Sequence, residues 1–561
     1  MTSQQTPSSS SSEPSSAQPS SQPSVRSRRV ATPSRRAFLN ASAILGAGLV
    51  GSGYAMSRAS ALDLGSSTGS LGSSIGSSTG LIPNRPQLTH GVAAGDVRAD
   101  GGLIWTRADR PSRMIVETSA DPSFRKVRRF ESSQLMTPDT DGTGRVRLIG
   151  MEPGQRVHYR VMAQDAETGI LSAPEVGSFV TAPTAHKDIR LHWSGDVAGQ
   201  GYGINPEIGG MYAFATMASR NPDLFIHSGD TCYADGPITA TKTLDDGRTY
   251  TSLTSEAKKK VAETLTEFRG QYAYNLMDAN YRAFNAHVAQ LVQWDDHETV
   301  NNWYPGEVLD SDKYTVKDVD TLSSRAFQAF HEWQPLDPTM AVDGRVYRKV
   351  SYGPLLDIFV LDMRSYKDAN PLARTAPDQP GHILGDKQAE WLIREVNAST
   401  ATWKIIANDL PLGIIVPDGE DQEGVSNGRP GAATGREAEI GRVLSGIKKV
   451  KNVVWLTADV HYTAAHHYSP DRASFQDFSP FWEFVTGPLN AGAFGPNKMD
   501  STFGPSVEFI HHPPKDQQNS SPLNDYQHFG EVNIDAATRA LSVGLFTTRG
   551  AELWSTTIEA Q

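Results

Sequence analysis

Apolar positions follow two rhythms along the chain. From about Leu88 to Pro183, short β-like runs (Leu103 to Thr106, Met114 to Thr118, Val146 to Ile149, Val157 to Met162) are separated by Gly, Pro and Asp turns, which predicts a small β-sandwich over 87–183. Past Pro183, β-branched or apolar runs alternate with helical segments: Ile189 to Trp193, Leu224 to Ile226, Val288 to Val292, Leu355 to Leu361, Lys404 to Ala407 and Val453 to Leu456. Strands that alternate with helices predict an α/β layered domain over 187–561. Val261, Leu265, Phe268, Tyr272 and Leu276, three or four apart, share one face of an expected helix that follows a Ser255 N-cap and covers the sheet.

The N-terminal residues follow neither rhythm. The first 24 are dominated by Ser, Gln and Pro, too poor in apolar surface to order themselves. Then come Arg26, Arg28 and Arg29, the segment Ser34-Arg35-Arg36-Ala37-Phe38-Leu39, a weakly apolar run from Ala41 to Val50, and Ala59-Ser60-Ala61. That order is basic region, hydrophobic region, small-residue cleavage site. The adjacent arginines and the Gly- and Ala-diluted apolar run resemble a twin-arginine signal over 1–61, which the twin-arginine translocation machinery reads to carry folded protein to the periplasm or beyond. Residues 62–86, rich in Gly and Ser, read as a linker.

Composition narrows the function. No stretch approaches the roughly 18 apolar residues of a membrane span, so no transmembrane segment is expected in the mature chain. A single cysteine, Cys232, excludes an intramolecular disulfide and a thiolate-rich metal site. Removing residues 1–61 takes away six Arg and one Glu and leaves 46 Lys+Arg against 62 Asp+Glu, a balance of −16. Such a chain repels nucleic acid, and no nucleic-acid binding is expected. Anionic substrates would need local positive centres, for which metal ions are the natural supply.

Candidate chemistry sits where the strands end. Ile189 to Trp193 leads into Gly195-Asp196, Leu224 to Ile226 into Gly229-Asp230, Val288 to Val292 into Asp295-Asp296-His297-Glu298, and Val453 to Leu456 into Asp459-Val460-His461. The crevice beyond the C-terminal ends of such strands is where α/β sheets bind ligands. One Asp at a strand end is ordinarily a turn residue or helix cap. Four strands that converge with carboxylates and two imidazoles would repel one another unless cations neutralised them.

In this order Asp196, Gly229-Asp230-x-x-Tyr233, Asp295-Asp296-His297-Glu298 and Asp459-x-His461 resemble the calcineurin-like metallophosphoesterases, and within them the PhoD-type alkaline phosphatases and phosphodiesterases. His90 to Asp96, Trp105-Thr106-Arg107, Leu361 to Tyr366 and Leu384-Gly385-x-x-Gln388-x-x-Trp391-Leu392 extend the likeness over about 87–561. Met151 to Gly154 with the following strand is similar to fibronectin type III sandwiches. The resemblance implies an α/β four-layer sandwich, two mixed sheets flanked by helices, preceded by a small fibronectin type III-like β-sandwich. It makes Asp230 a carboxylate bridging two metals, with Asp196, Tyr233 and His461 completing the first site and Asp296 and Asp459 serving the second. Asn408 and Asp295 are further candidates as ligands or as residues supporting them.

The oxygen-only second site suits calcium, and the phenolate and carboxylates of the first suit ferric iron, the pairing for which PhoD-like enzymes are known. Some relatives place a cysteine ligand where this chain has Gly195-Asp196. Cys232 lies inside the Asp230 to Tyr233 loop and reads as a small buried residue. Two metals about 3.5 to 4 Å apart would generate hydroxide and stabilise the entering and leaving oxygens of an in-line displacement on a phosphate ester. His297 would bond the phosphate or protonate the leaving alkoxide, unless it is a structural histidine fixed by a carboxylate. Arg364, at another strand end, would hold a phosphate oxygen, with an ion pair as its alternative. The expected function is an exported phosphomonoesterase or phosphodiesterase, with phospholipid or nucleotide diesters as alternative substrates. A calcium-binding adhesion protein would account for the acidity but not for Tyr233, His297 and His461.

Overall fold

Strands form where the apolar runs are buried on both faces, and their alternation assigns each face to a different layer. In the computed structural model, residues 84–429 and 431–561 are described. The signal and linker expected over 1–86 lie, apart from their last three residues, outside the described residues. One sheet has nine strands, in the order Glu552–Ile558, Leu541–Thr547, His528–Ile534, Ile189–Ser194, Leu224–His227, Ala289–Val292, Leu88–Arg98, Gly101–Ala108 and Thr143–Leu148. The other has seven: Arg348–Ser351, Leu356–Val360, Trp403–Ala407, Val453–Thr457, Phe481–Val485, Thr463–Tyr468 and Pro505–His511. Parallel pairing runs through the middle of each, as in Leu191 with Leu224 and Ile405 with Val454.

Period-two alternation separates the layers. Leu191, Trp193, Leu224, Ile226 and Leu291 of the first sheet meet Ile358, Val360, Ile405, Val454 and Leu456 of the second in the core between the sheets. The intervening Phe225 and Val292 face the helices Tyr212–Ser219, Leu265–Asn275, Ala279–His287 and Val319–Trp333. Phe359, Ile406 and Trp455 face Asp386–Ala398 and Arg436–Ile447. Helix, sheet, sheet, helix is the expected four-layer sandwich.

Two expectations shift. The helix that carries Phe268 and Tyr272 starts at Leu265 and not after Ser255. Thr264 and Glu267 form a capping box there, each side chain satisfying a backbone N–H of the first turn. Ser255 instead precedes a short 3-10 turn and caps nothing with its side chain. The N-terminal sandwich also lacks two sheets of its own. Ser112–Ser119, Arg128–Met136, Arg156–Asp165 and Glu175–Val180 form a separate four-stranded sheet, while Leu88–Arg98 and its neighbours are the edge of the nine-stranded sheet, with Gly95 opposite Gln290.

A buried ion pair pins that edge. Arg348 donates through Nε and Nη2 to Asp96 Oδ1 at 2.9 and 2.8 Å, and through Nη1 to the Val292 carbonyl at 3.1 Å. The other Asp96 oxygen accepts from the Asp337 N–H at 2.7 Å. Neither side chain touches solvent. The pair therefore joins the first strand, the end of Ala289–Val292 and the edge of the second sheet. Asp96→Asn keeps a residue that tolerates the left-handed backbone there (φ 43°) but leaves Arg348 buried without its countercharge. We expect a loss of about 3–5 kcal/mol in chemical denaturation, and an unchanged midpoint would refute this role.

Candidate metal centre

Six parallel strands from the two sheets end on one rim. Asp196, Asp230 and Asp295 to Glu298 follow strands of the first sheet; Asp362 to Arg364, Asn408-Asp409 and Asp459 to His461 follow strands of the second. Hydrogen bonds tie the two sets of ends together. Gln293 Nε2 donates to the Ala407 carbonyl at 2.9 Å, Trp294 Nε1 to Asp362 Oδ1 at 3.2 Å and Trp193 Nε1 to the Thr457 carbonyl at 3.3 Å. Gln388, in the motif before Trp391, holds Asp362 by accepting from its N–H and donating to its carbonyl.

The turns at these ends are tight. Asp196, Asp230, Asp459 and His461 all have left-handed backbone, φ between 48° and 65°. Such strain persists where the surroundings fix it and concentrates at functional sites. Gly229 (φ 89°) has no room for a side chain, since a Cβ would lie 2.4 Å from that of Asp295. At Gly195 a Cβ would stand 2.9 Å from the Gly229 carbonyl oxygen, so this position has no space for a cysteine side chain. Cys232 is buried among apolar side chains, and that burial pushes its thiol up.

Three sets of ligand atoms converge: Asp196, Asp230 and His461; Asp230, Asp296 and His297; Asp295, Asp296 and Asp459. Asp230 belongs to two of them, as a bridging carboxylate would. His461 donates from Nδ1 to the Gly492 carbonyl, which leaves Nε2 as its lone-pair nitrogen, 2.8 Å from the Tyr233 hydroxyl and 3.4 Å from Asp196 Oδ1. Burial lowers this imidazole to about 4 and keeps it neutral. Both Asp196 oxygens, Asp296 Oδ1 and Asn408 Oδ1 are buried without a hydrogen-bond partner. Burial, then the neighbouring carboxylates, raise Asp196 and Asp230 well above the usual carboxylate range. Orphaned oxygens, a neutral imidazole and mutually repelling carboxylates are a donor set that fits cations.

His297 lies over Tyr233, ring centroids 4.2 Å apart, and its Nδ1 is held by Asp235 at 2.8 and 2.9 Å. Burial opposes its charge, but Asp235 and Asp296 outweigh burial and raise it to about 10. A protonated imidazole is thus anchored on one nitrogen and keeps Nε2 for the site. Arg364 departs from the expected phosphate clamp. Its guanidinium is fully buried and turned toward Asp295, Asp409, Glu423 and Asp459, so the ion-pair alternative describes it. Asp295 accordingly holds Arg364. His466, paired with Glu483, and His511, paired with His528, lie outside the three sets.

Some residues escaped the sequence. Asp235 lies five positions after Asp230. Glu298, named in the motif without a role, accepts the Thr231 N–H and hydroxyl and the Asp295 N–H, locking two ligand loops together. Asp409 directly follows Asn408, and that adjacency is the signal available for it. Glu423 comes from a Gly-rich loop and carries none.

The PhoD-like phosphatase family model matches residues 191–545, and that of the PhoD-like phosphatase N-terminal domain matches 76–183. Alkaline phosphatase D of Bacillus subtilis (strain 168) is 29% identical over 475 residues, spanning 77% of this chain and 76% of that protein. A solved structure of PhoD superposes with a TM-score of 0.64 at 22% identity, over 86% of this chain and 92% of its own. Purple acid phosphatase PPD1 from yellow lupin (Lupinus luteus) seeds superposes with a TM-score of 0.53 at 13% identity, over 85% and 75%. At those identities the two structures speak for the fold.

Because Asp230 serves two of the sets, Asp230→Asn should lower bound metal by at least one equivalent per chain in elemental analysis. Metal content equal to that of the unaltered protein would remove Asp230 from the bridging position.

Proposed function

The chain belongs to the PhoD-like phosphatase family and is a phosphoester hydrolase, and from that premise we propose that it is an exported, metal-dependent enzyme acting on phosphomonoesters and phosphodiesters. The observation that carries the reading is the pair of ligand sets sharing Asp230, one with Asp196 and His461 and the other with Asp296 and His297. Ferric iron at Asp196, Asp230, Tyr233 and His461, with calcium at Asp230, Asp296, Asp459 and Asn408, matches the donors by hardness. Bound there, such cations supply Lewis acidity toward the phosphate and an attacking hydroxide near neutral pH.

The chain's own groups do the rest. Asp235 fixes the His297 ring, so that Nε2 carries a proton at the site and gives it to the departing alkoxide. Glu298 holds the Asp230 and Asp296 loops in register through its bonds to Thr231 and Asp295. Lys258, buried, donates to the Tyr233 carbonyl at 2.9 Å and anchors the loop from behind. Lipid and nucleotide diesters present the same phosphate between two oxygens. The choice among them falls to the segments 239–255, 417–436 and 491–519.

Aryl and alkyl phosphates at alkaline pH test this reading. Chelation should abolish activity. His297→Gln should lower kcat about 10²–10³-fold on an alkyl phosphate and less on a nitrophenyl phosphate, whose leaving group needs no proton. Asp235→Asn should cost about 10–100-fold with metal content unchanged. Equal losses on both substrates would take the acid role from His297, and full activity in chelator would overturn the metal-dependent reading. For export, replacing Arg35 and Arg36 with lysine should retain the chain in the cytoplasm on cell fractionation; unaltered export would exclude the twin-arginine route.

A further inference from the structure

The third of the three converging sets of ligand atoms already holds a cationic side chain, although Asp295 Oδ2 and Asp296 Oδ1 within it have no hydrogen-bond partner. Asp295, Asp296 and Asp459 bring three oxygens within ligand distance of one another. Arg364 Nη2 sits among them, 3.1 Å from Asp459 Oδ1, 3.9 Å from Asp296 Oδ1 and in contact with Asp295 Oδ1. Its remaining edges are also taken: Nε lies 3.2 Å from Asp409 Oδ2, and Nη1 donates to Glu423 Oε1. No part of the side chain reaches solvent.

We propose that Arg364 is the resident cation of this third carboxylate set, standing where a metal ion would otherwise bind and positioning Asp459 toward the cation shared with Asp230 and Asp296. The inference rests on the metal-dependent reading above. Its geometry is specific to a guanidinium, whose planar fork meets several carboxylates along its edges, whereas an ammonium is a single point charge. Arg364 enters the site on a braced turn. Its N–H donates to Asp362 Oδ1 at 3.1 Å, and the same oxygen accepts from Trp294 Nε1 and the Ser365 N–H. Lys367 Nζ lies nearby, 3.7 Å from Glu423 Oε1, and has no hydrogen-bond partner, so it does not replace the guanidinium. Asp459 is thereby held through Oδ1 by Arg364, which in the proposed arrangement leaves Oδ2 to the neighbouring set. Arg364 is thus a positioning residue, without contact to substrate.

The test is a count of ions. Full-length protein, reconstituted with iron and calcium, is taken to equilibrium dialysis against calcium and to elemental analysis. Unaltered protein sets the reference number of equivalents; if it binds no metal, the metal-dependent reading itself fails. Arg364→Ala should bind one additional equivalent of calcium per chain, because the vacated set offers three carboxylates to a hard ion. If it binds the reference number with the reference affinity, the proposal is overturned. A purely structural arginine would not add an ion. Arg364→Lys is the second variant, decisive if the alanine variant does not fold. It should keep the reference number of ions but need at least tenfold more calcium for half-saturation, since one ammonium cannot hold Asp459 while also meeting Asp295, Asp409 and Glu423. An unchanged half-saturation would overturn the positioning of Asp459.

Discussion

Mutual repulsion among buried carboxylates is the constraint on which the rest of this molecule depends. Asp196, Asp230, Asp295, Asp296, Asp409 and Glu423 lie out of water on one rim, with the partly exposed Asp459 beside them. Charges that close in a medium of low effective dielectric interact far more strongly than they would in solvent. Burial and its neighbours push Asp459 up to about 8 even with Arg364 beside it. The fold can hold such a cluster only by supplying positive charge or by admitting it from outside. Arg364 is the internal supply, and the orphaned oxygens of Asp196, Asp296 and Asn408 mark where the external supply belongs. Occupancy and stability are then linked, because ions that bind the folded chain and not the unfolded one favour folding by mass action.

Two sheets are needed because one cannot present these groups. Asp196, Asp230 and Asp296 come from the first sheet; Asn408, Asp459 and His461 come from the second. The apolar core between the sheets fixes their separation, and bonds from Gln293, Trp193 and Trp294 fix the relation of their ends. The Asp96–Arg348 pair adds a third fastening, at the Val292 carbonyl just before Trp294. The motif around Asp96, far in sequence from any ligand, is thus part of the scaffold that aims Asp295 and Asp296. Displacing a strand end by a fraction of an ångström would spread the ligands, which explains why apolar, rotamer-stiff strands and not mobile loops deliver them.

The strands and the candidate ligands were legible for one physical reason. A strand buried on both faces is an unbroken apolar run, and the polar residue after it is conspicuous. Asp196, Asp230, Asp296, Asp459 and His461 were visible in that way. Groups that act through partners from other segments were not. Arg364 follows a strand like a ligand, but its fate is decided by Asp409 and Glu423, and Glu423 sits in a Gly-rich loop with no local pattern. Asp235 lacked a strand before it, although its place five residues after Asp230 was a usable hint. The start of the helix at Leu265 was written in Thr264 and Glu267 and masked by an earlier serine. Edge pairing was illegible for a different reason, since nothing in the run at Leu88 specifies which strand it joins.

Fixed and exchangeable charges divide the work at the rim. A guanidinium is charged at any working pH, so Arg364 holds its carboxylates whatever the ion supply. His297 is held charged by Asp235, which bonds its Nδ1, together with Asp296 of the candidate ligand set. These cations are fewer than the carboxylates they face, and without further positive charge the excess is relieved by the raised Asp196, Asp230 and Asp459 holding protons, within a chain that is itself acidic. Cations held by Asp196, Asp230 and Asp296 would relieve the cluster and would at the same time supply the positive field that a phosphate requires.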